Sequence, residues 1–183
     1  GSAVTPTPLW SSDSAAVVAS PLVAGVHTSP GLEIICAETY TGTVKAYSAT
    51  GQLLWSFQTD AGDVLLSPPA LSAPMAGDRA TLAFGGLKGI VYGLDPSDGQ
   101  ERWRRETGAI AWGGVLWADL DGDGLASLVA GTREEGVVAY DGDGEERWRY
   151  TGEEDGRPIR LQGPLAAADV NGDGRAVLFV VGG

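Results

Sequence analysis

Apolar runs of about 5 to 8 residues alternate along the whole chain with clusters of Gly, Asp, Asn and Pro. Runs this short, closed by turn-forming residues, predict β-strands joined by tight turns. None approaches the roughly 20 apolar residues that span a bilayer as a helix. Three stretches align with one another: "GTVKAYSATGQLLWSFQTD" (42–60), "GIVYGLDPSDGQERWRRETG" (89–108) and "GVVAYDGDGEERWRYTG" (136–152). Each reads as strand, Gly- or Asp-containing turn, then a strand ending at Trp. Trp55, Trp103 and Trp148 are separated by 48 and 45 residues, and Trp10 lies 45 before Trp55.

A second pair of apolar runs precedes each hairpin. "ASPLVAGV" and "LEIICAET" precede the first, "SPPALSAP" and "ATLAFGGL" the second, "GGVLWADL" and "LASLVAGT" the third; "GPLAAADV" and "AVLFVVGG" begin a fourth. Four short strands in some 45 residues match the blade of a β-propeller. The first run of each set is small and apolar, which suits a crowded axis. The last alternates charge with aromatic residues, as in "EERWRY", which suits an outer strand with one wet face.

The predicted fold is therefore all-β: a single β-propeller domain over 1–183, with repeats at about 16–60, 61–108, 109–152, and 153–183 completed by 1–15. Closing the last blade with the first residues would remove the free sheet edges. Three arrangements stay open: a closed four-bladed ring, a homodimer completing an eight-bladed ring, or a fragment of a larger propeller. Eight blades suit these repeats better than four.

Composition then narrows the partners. Twelve Lys and Arg stand against 24 Asp and Glu. A net charge of −12 excludes a phosphate-binding surface, and so nucleic acid, while favouring cations. Cys36 is the single cysteine, which rules out an internal disulfide and a Cys-based metal site. The Gly-Ser start looks like a cloning scar or processed end, so an export signal is not to be read from this chain.

The hairpins "AYSATGQLLW", "GLDPSDGQERW" and "AYDGDGEERW" resemble the PQQ-type propeller repeat, whose Ala-x-Asp-x-x-x-Gly-x-x-x-Trp pattern docks neighbouring blades. "WADLDGDGLASLVAGT" and "AADVNGDGRAVLFVVGG" resemble the FG-GAP (VCBS) repeat of integrin-like propellers. The resemblance implies a propeller, an extracellular or periplasmic location, and a protein or carbohydrate ligand. It does not choose among activities, because such blades serve adhesins, assembly lipoproteins, dehydrogenases and lyases alike.

In FG-GAP repeats the loop between the first two strands holds calcium through positions 1, 3, 5 and 9. The resemblance carries these onto Asp119, Asp121, Asp123 and Ser127 in the third repeat, and onto Asp169, Asn171 and Asp173 in the fourth. Val177 stands at the fourth repeat's ninth position and has no ligating atom. Alternating carboxylates around Gly can wrap the six to eight oxygens that calcium takes. The competing reading is two Asp/Gly turns whose side chains hydrogen-bond to the backbone. "DGDG" at 141–144 falls in the hairpin before Trp148 and reads as a turn alone.

Catalytic signals are sparse. His27 is the single histidine and sits in a loop segment, "GVHTSPG". The chain has no phosphate-cradling loop and no zinc cluster. Four of the six Trp residues are in phase with the repeat and read as blade packing; Trp112 and Trp117 fall out of phase and could line the axial channel or one mouth. The expected function is a non-enzymatic propeller scaffold for ligand or protein binding, with calcium-stabilised loops. The alternative is a propeller domain or fragment of an extracellular enzyme of the quinoprotein dehydrogenase or polysaccharide lyase type.

Overall fold

The computed structural model describes residues 8–26, 31–73, 79–133, 136–154, 157–158, 160–161 and 163–182. Three four-stranded antiparallel sheets follow one another along the chain. Blade 1 comprises β1 (Leu22–Ala24), β2 (Glu33–Glu38), β3 (Thr43–Ser48) and β4 (Leu53–Gln58). Blade 2 comprises β5 (Ala70–Leu71), β6 (Leu82–Gly85), β7 (Ile90–Leu94) and β8 (Glu101–Glu106). Blade 3 comprises β9 (Ile110–Ala118), β10 (Ser127–Thr132), β11 (Val137–Tyr140) and β12 (Glu146–Tyr150). A small hairpin of β13 (Glu153–Glu154) and β14 (Arg157–Pro158) leads to a two-stranded half-blade, β15 (Ala166–Ala168) and β16 (Val177–Phe179). Within each four-stranded sheet the strands pair in chain order, the meander of a propeller blade.

Side-chain alternation explains how the sheets stack. Leu82 and Phe84 of β6 face blade 1, where they meet Ile35, Val44 and Trp55. Between them Ala83 faces the other way, joining Trp103 with Val115, Leu128 and Val138 of blade 3. Strands buried on both sides in this manner read as continuous apolar runs, as "TLAFG" and "LVAG" do. Leu161, Leu165 and Leu178 extend the stacking by covering Val129 and Val137 of blade 3.

The phased tryptophans lock one blade to the next. Trp10 Nε1 donates to the Ala49 carbonyl at 3.0 Å, Trp55 to Pro96 at 3.0 Å and Trp103 to Gly142 at 2.9 Å. Each acceptor lies in the outer hairpin turn of the following blade. Each ring rests on the glycine that ends that turn: a Cβ added at Gly51, Gly99 or Gly144 would come within 2.7, 2.6 and 2.6 Å of the indole carbons. These glycines have φ of +84°, +74° and +79°, so the same residue provides the turn conformation and the flat seat for the ring. Opposite Trp55 and Trp103 in their own sheets stand small residues, Ala46 and Gly93, and a register irregularity follows directly. Trp148 repeats the pairing, opposite Ala139, with the same irregularity.

The sequence reading ends each hairpin at Trp, but the strands continue. Beyond Trp55, Phe57 pairs with Val44 and Gln58 with Thr43, so the ladder runs until β3 ends. Residues 8–20 enter no strand. They lie against blade 1, through Trp10 on Ala49, Ser14 on the Tyr47 hydroxyl, Ala15 N–H on Glu38 and Val18 N–H on Thr39. Among the described residues no strand pairing joins this segment to β15 or β16, and the ring of sheets is open.

Candidate functional site

The first Asp loop connects β9 to β10, and its shape comes from its own side chains. Asp119 accepts from Gly122 N–H through Oδ1 at 2.7 Å and from Gly124 N–H through Oδ2 at 2.9 Å. Asp123 accepts from Leu125 N–H at 2.7 Å, and Asp121 from Asp123 N–H at 3.3 Å. Gly122 and Gly124 take φ of +78° and +83°, which lets the backbone curl around the carboxylates. One oxygen from each of Asp119, Asp121 and Asp123 falls within 4.8 Å of the others. Two oxygens on a single Ca²⁺, at 2.3–2.6 Å each, stand no more than about 5 Å apart. The three carboxylates thus fit one hard cation. Ser127, the expected ninth-position ligand, opens β10, is buried, and pairs with Ala118.

The second loop, between β15 and β16, copies the first. Asp169 accepts from Gly172 N–H at 2.7 Å and Gly174 N–H at 2.8 Å, and Asp173 from Arg175 N–H at 2.9 Å. The bond from Gly174, with others from Gly172, Asn171 and Asp173, holds the Asp169 carboxyl below its usual range. Here Asn171 turns its amide onto Asp173 at 2.9 Å, so this loop offers one carboxylate fewer than the first. Val177 is exposed and opens β16.

The two loops touch. Ala176 N–H donates to the Asp119 carbonyl at 2.7 Å, and Arg175 packs its Cγ against Gly122. On the other side Arg147 of β12 places Nη1 at 3.5 Å from Asp121 and 3.9 Å from Asp123. Neither arginine is apparent from the loop motif; Arg147 sits beside Trp148 in the outer strand, and only folding brings it over the carboxylates.

"DGDG" at 141–144 is a turn, as expected. Asp141 Oδ1 accepts from Asp143 N–H at 3.0 Å and Glu145 N–H at 2.9 Å, while Gly144 seats Trp103. Asp141 and Asp143 also border a cleft of about 180 Å³ between blades 2 and 3, with Trp117, Thr81, Leu125 and Arg147. Trp117 therefore lines a mouth between blades, its Nε1 donating to the Ala70 carbonyl at 3.3 Å. His27 and the side chain of Trp112 lie outside the described residues. Cys36 is half-buried, and burial together with Glu38 pushes its thiol up, away from the reactive thiolate.

These sheets and latches define a repeat-built β-propeller of PQQ-type blades. Residues 2–115 match the family described as outer membrane protein assembly factor BamB, and the chain belongs to it. Residues 119–180 match the FG-GAP-like repeat. No curated protein sequence matches. Among solved structures, BamB from Moraxella catarrhalis aligns with a TM-score of 0.57 at 18% identity over 92% of this chain and 47% of that one. The biofilm matrix protein Bap1 of V. cholerae aligns with 0.62 at 22% identity over 90% and 28%. The computationally designed Ika4 protein aligns with 0.54 at 17% identity over 97% and 100%. The chain thus spans less than half the length of the first two. At such identities the likeness is one of fold. No helix among the described residues is long and apolar enough to cross a membrane.

Proposed function

We propose that the chain is a non-catalytic propeller scaffold that binds a protein or carbohydrate ligand outside the cytosol and is stiffened by calcium at its Asp loops. The observation that carries the reading is the convergence of Asp119, Asp121 and Asp123 within 4.8 Å on the loop where FG-GAP-like repeats carry their acidic series. The second loop is the weaker site, because Asn171 replaces a carboxylate and Val177 adds no oxygen. Membership in the BamB family and the likeness to Bap1 support a surface that meets other macromolecules, and an extracellular or periplasmic setting, where free calcium is plentiful.

Thermal unfolding with calcium and with chelator tests the metal. A ligand at a hundred times its Kd adds about 2.7 kcal/mol, or roughly 5–11 °C for a domain of this size. Asp121→Asn with Asp123→Asn should abolish that rise while leaving the chelated midpoint near wild type. A midpoint indifferent to calcium in the unaltered chain rejects the metal.

A further inference from the structure

We infer that the cleft between blades 2 and 3 is a binding site for a single sugar ring, held by Trp117, Asp141, Asp143 and Arg147. The inference rests on the reading of the chain as a ligand-binding scaffold and names the ligand of one place on it. The cleft opens where blade 3 departs from an ion pair that blade 2 keeps closed. In blade 2, Asp95 and Arg102 lie one residue beyond the paired Leu94 and Glu101, and they meet at 2.7 Å. Arg102 Nη1 also donates to the Ala80 carbonyl at 2.7 Å and the Thr81 hydroxyl at 2.9 Å, which folds the guanidinium into its own blade. In blade 3, Asp141 and Arg147 lie one residue beyond the paired Tyr140 and Glu146, and so hold the same two places. Yet they form no ion pair with each other. Arg147 turns to the Asp loop instead, 3.5 Å from Asp121 and 3.9 Å from Asp123, and both it and Asp141 border the cleft of about 180 Å³.

The lining fixes the class of ligand. Trp117 Nε1 is engaged by the Ala70 carbonyl, so the indole offers the cleft its apolar ring, and Leu125, 46% exposed, stands beside it. Asp141 uses Oδ1 on the N–H groups of its own turn. Its Oδ2 and the exposed Asp143 carboxylate remain as acceptors, and the Arg147 guanidinium supplies donors. Donors and acceptors around an apolar surface suit a neutral ring whose hydroxyls do both and whose C–H face lies on the indole. An anion would meet two carboxylates, and a cation would meet Arg79 and Arg147. At about 30 Å³ per water the cleft has room for about six waters, which one pyranose fills and a chain of them does not.

Methyl pyranosides of glucose, mannose and galactose are the probes, titrated into the full, isotope-labelled chain in chelator so that the metal test stays separate. The readout is the indole N–H signal of Trp117 in a nitrogen–proton correlation spectrum, assigned by its absence from the Trp117→Phe chain. At least one glycoside should move that signal saturably, with a Kd on the order of 1 mM, as suits a ligand of about a dozen heavy atoms. Arg147→Ala and Asp143→Ala, both at exposed side chains, should each weaken binding about tenfold or more, the loss expected for hydrogen bonds to charged groups. Tyr40→Ala, in the exposed β2–β3 turn of blade 1, should change nothing. An unmoved Trp117 signal at saturating glycoside, or equal binding by the Arg147→Ala and Asp143→Ala chains, overturns the inference. Shifts confined to other tryptophans would leave the scaffold reading standing and remove the sugar from this cleft. Glycine betaine, which carries both charges and no hydroxyl, is the last probe; binding by it and by no glycoside would overturn the ligand class.

Discussion

Trp103→Ala tests whether the indole latch, rather than the sheets alone, holds the blades together. The ring is 7% exposed, and Gly93 and Gly144 pack against it from its own blade and the next. Tyr140 lies 6.4 Å from it, centroid to centroid, and Nε1 donates to Gly142 at 2.9 Å. Truncating a buried Trp to Ala costs about 3–5 kcal/mol. For a domain of this length each kcal/mol moves the midpoint by about 2–4 °C, so the loss should be roughly 6–20 °C. Trp148→Ala is the internal control. Its ring is 37% exposed and, among the described residues, seated on no glycine turn, so the same change should cost only about 1 kcal/mol. Urea unfolding followed by far- and near-ultraviolet circular dichroism measures both. Equal losses for the two variants would refute the latch and place the stacking energy in the aliphatic strands.

Two more results follow from local geometry. Burial alone would raise the Asp95 carboxyl, but the Ser97 hydroxyl and N–H together with Arg102 outweigh it and hold the group down to about 2. Because this folded value is below the unfolded one of about 3.9, the stabilisation, on the order of 2 kcal/mol, is present above pH ~4 and lost as pH falls toward 2. Asp95→Asn should flatten that part of a urea-midpoint profile measured from pH 7 to 2. Gly144→Val should destabilise by about 2–3 kcal/mol, since it meets both a positive φ and the Trp103 ring. Gly172→Ala, at φ +76° with nothing within 4 Å, should cost only about 1 kcal/mol in the same denaturation assay.

What was legible in the sequence was what repeats. The four-strand period, the structural role of the phased tryptophans and the turn at 141–144 all rest on local patterns, and the sheets have them. Strand lengths depended on partners instead. "SPPALSAP" reads as a full inner strand, yet the strand is Ala70–Leu71 with one further backbone bond from Ser72 N–H to the Thr81 carbonyl, because the preceding prolines bring no N–H to the ladder. The β13–β14 pairing went unread, although it flanks an Asp-Gly dipeptide in "GEEDGRP". Arg147 over Asp121, Arg175 against Gly122 and the Lys45–Glu38 pair at 2.6 Å are placed by strand register and blade stacking. No motif search over one segment can find such meetings.

The contact between the two Asp loops gives the cation reading its structural weight. Five carboxylates, from Asp119, Asp121, Asp123, Asp169 and Asp173, crowd the junction of blade 3 with the half-blade, and Arg147 is the cation that reaches two of them, Asp121 and Asp123. Among the described residues this junction shows no indole latch like those that close the two before it. It depends instead on Leu161, Leu165 and Leu178, and on the Ala176 bond to the Asp119 carbonyl. Like charges a few ångströms apart at a surface repel by up to a few kcal/mol. A divalent ion at the Asp119 loop would cancel that repulsion and fix the carbonyl that Ala176 holds, steadying the β15–β16 half-blade against blade 3. Calcium should therefore slow amide exchange in β16 as well as in the loop itself; if the Asp121→Asn, Asp123→Asn chain still gained that protection from calcium, the effect would not run through the loop.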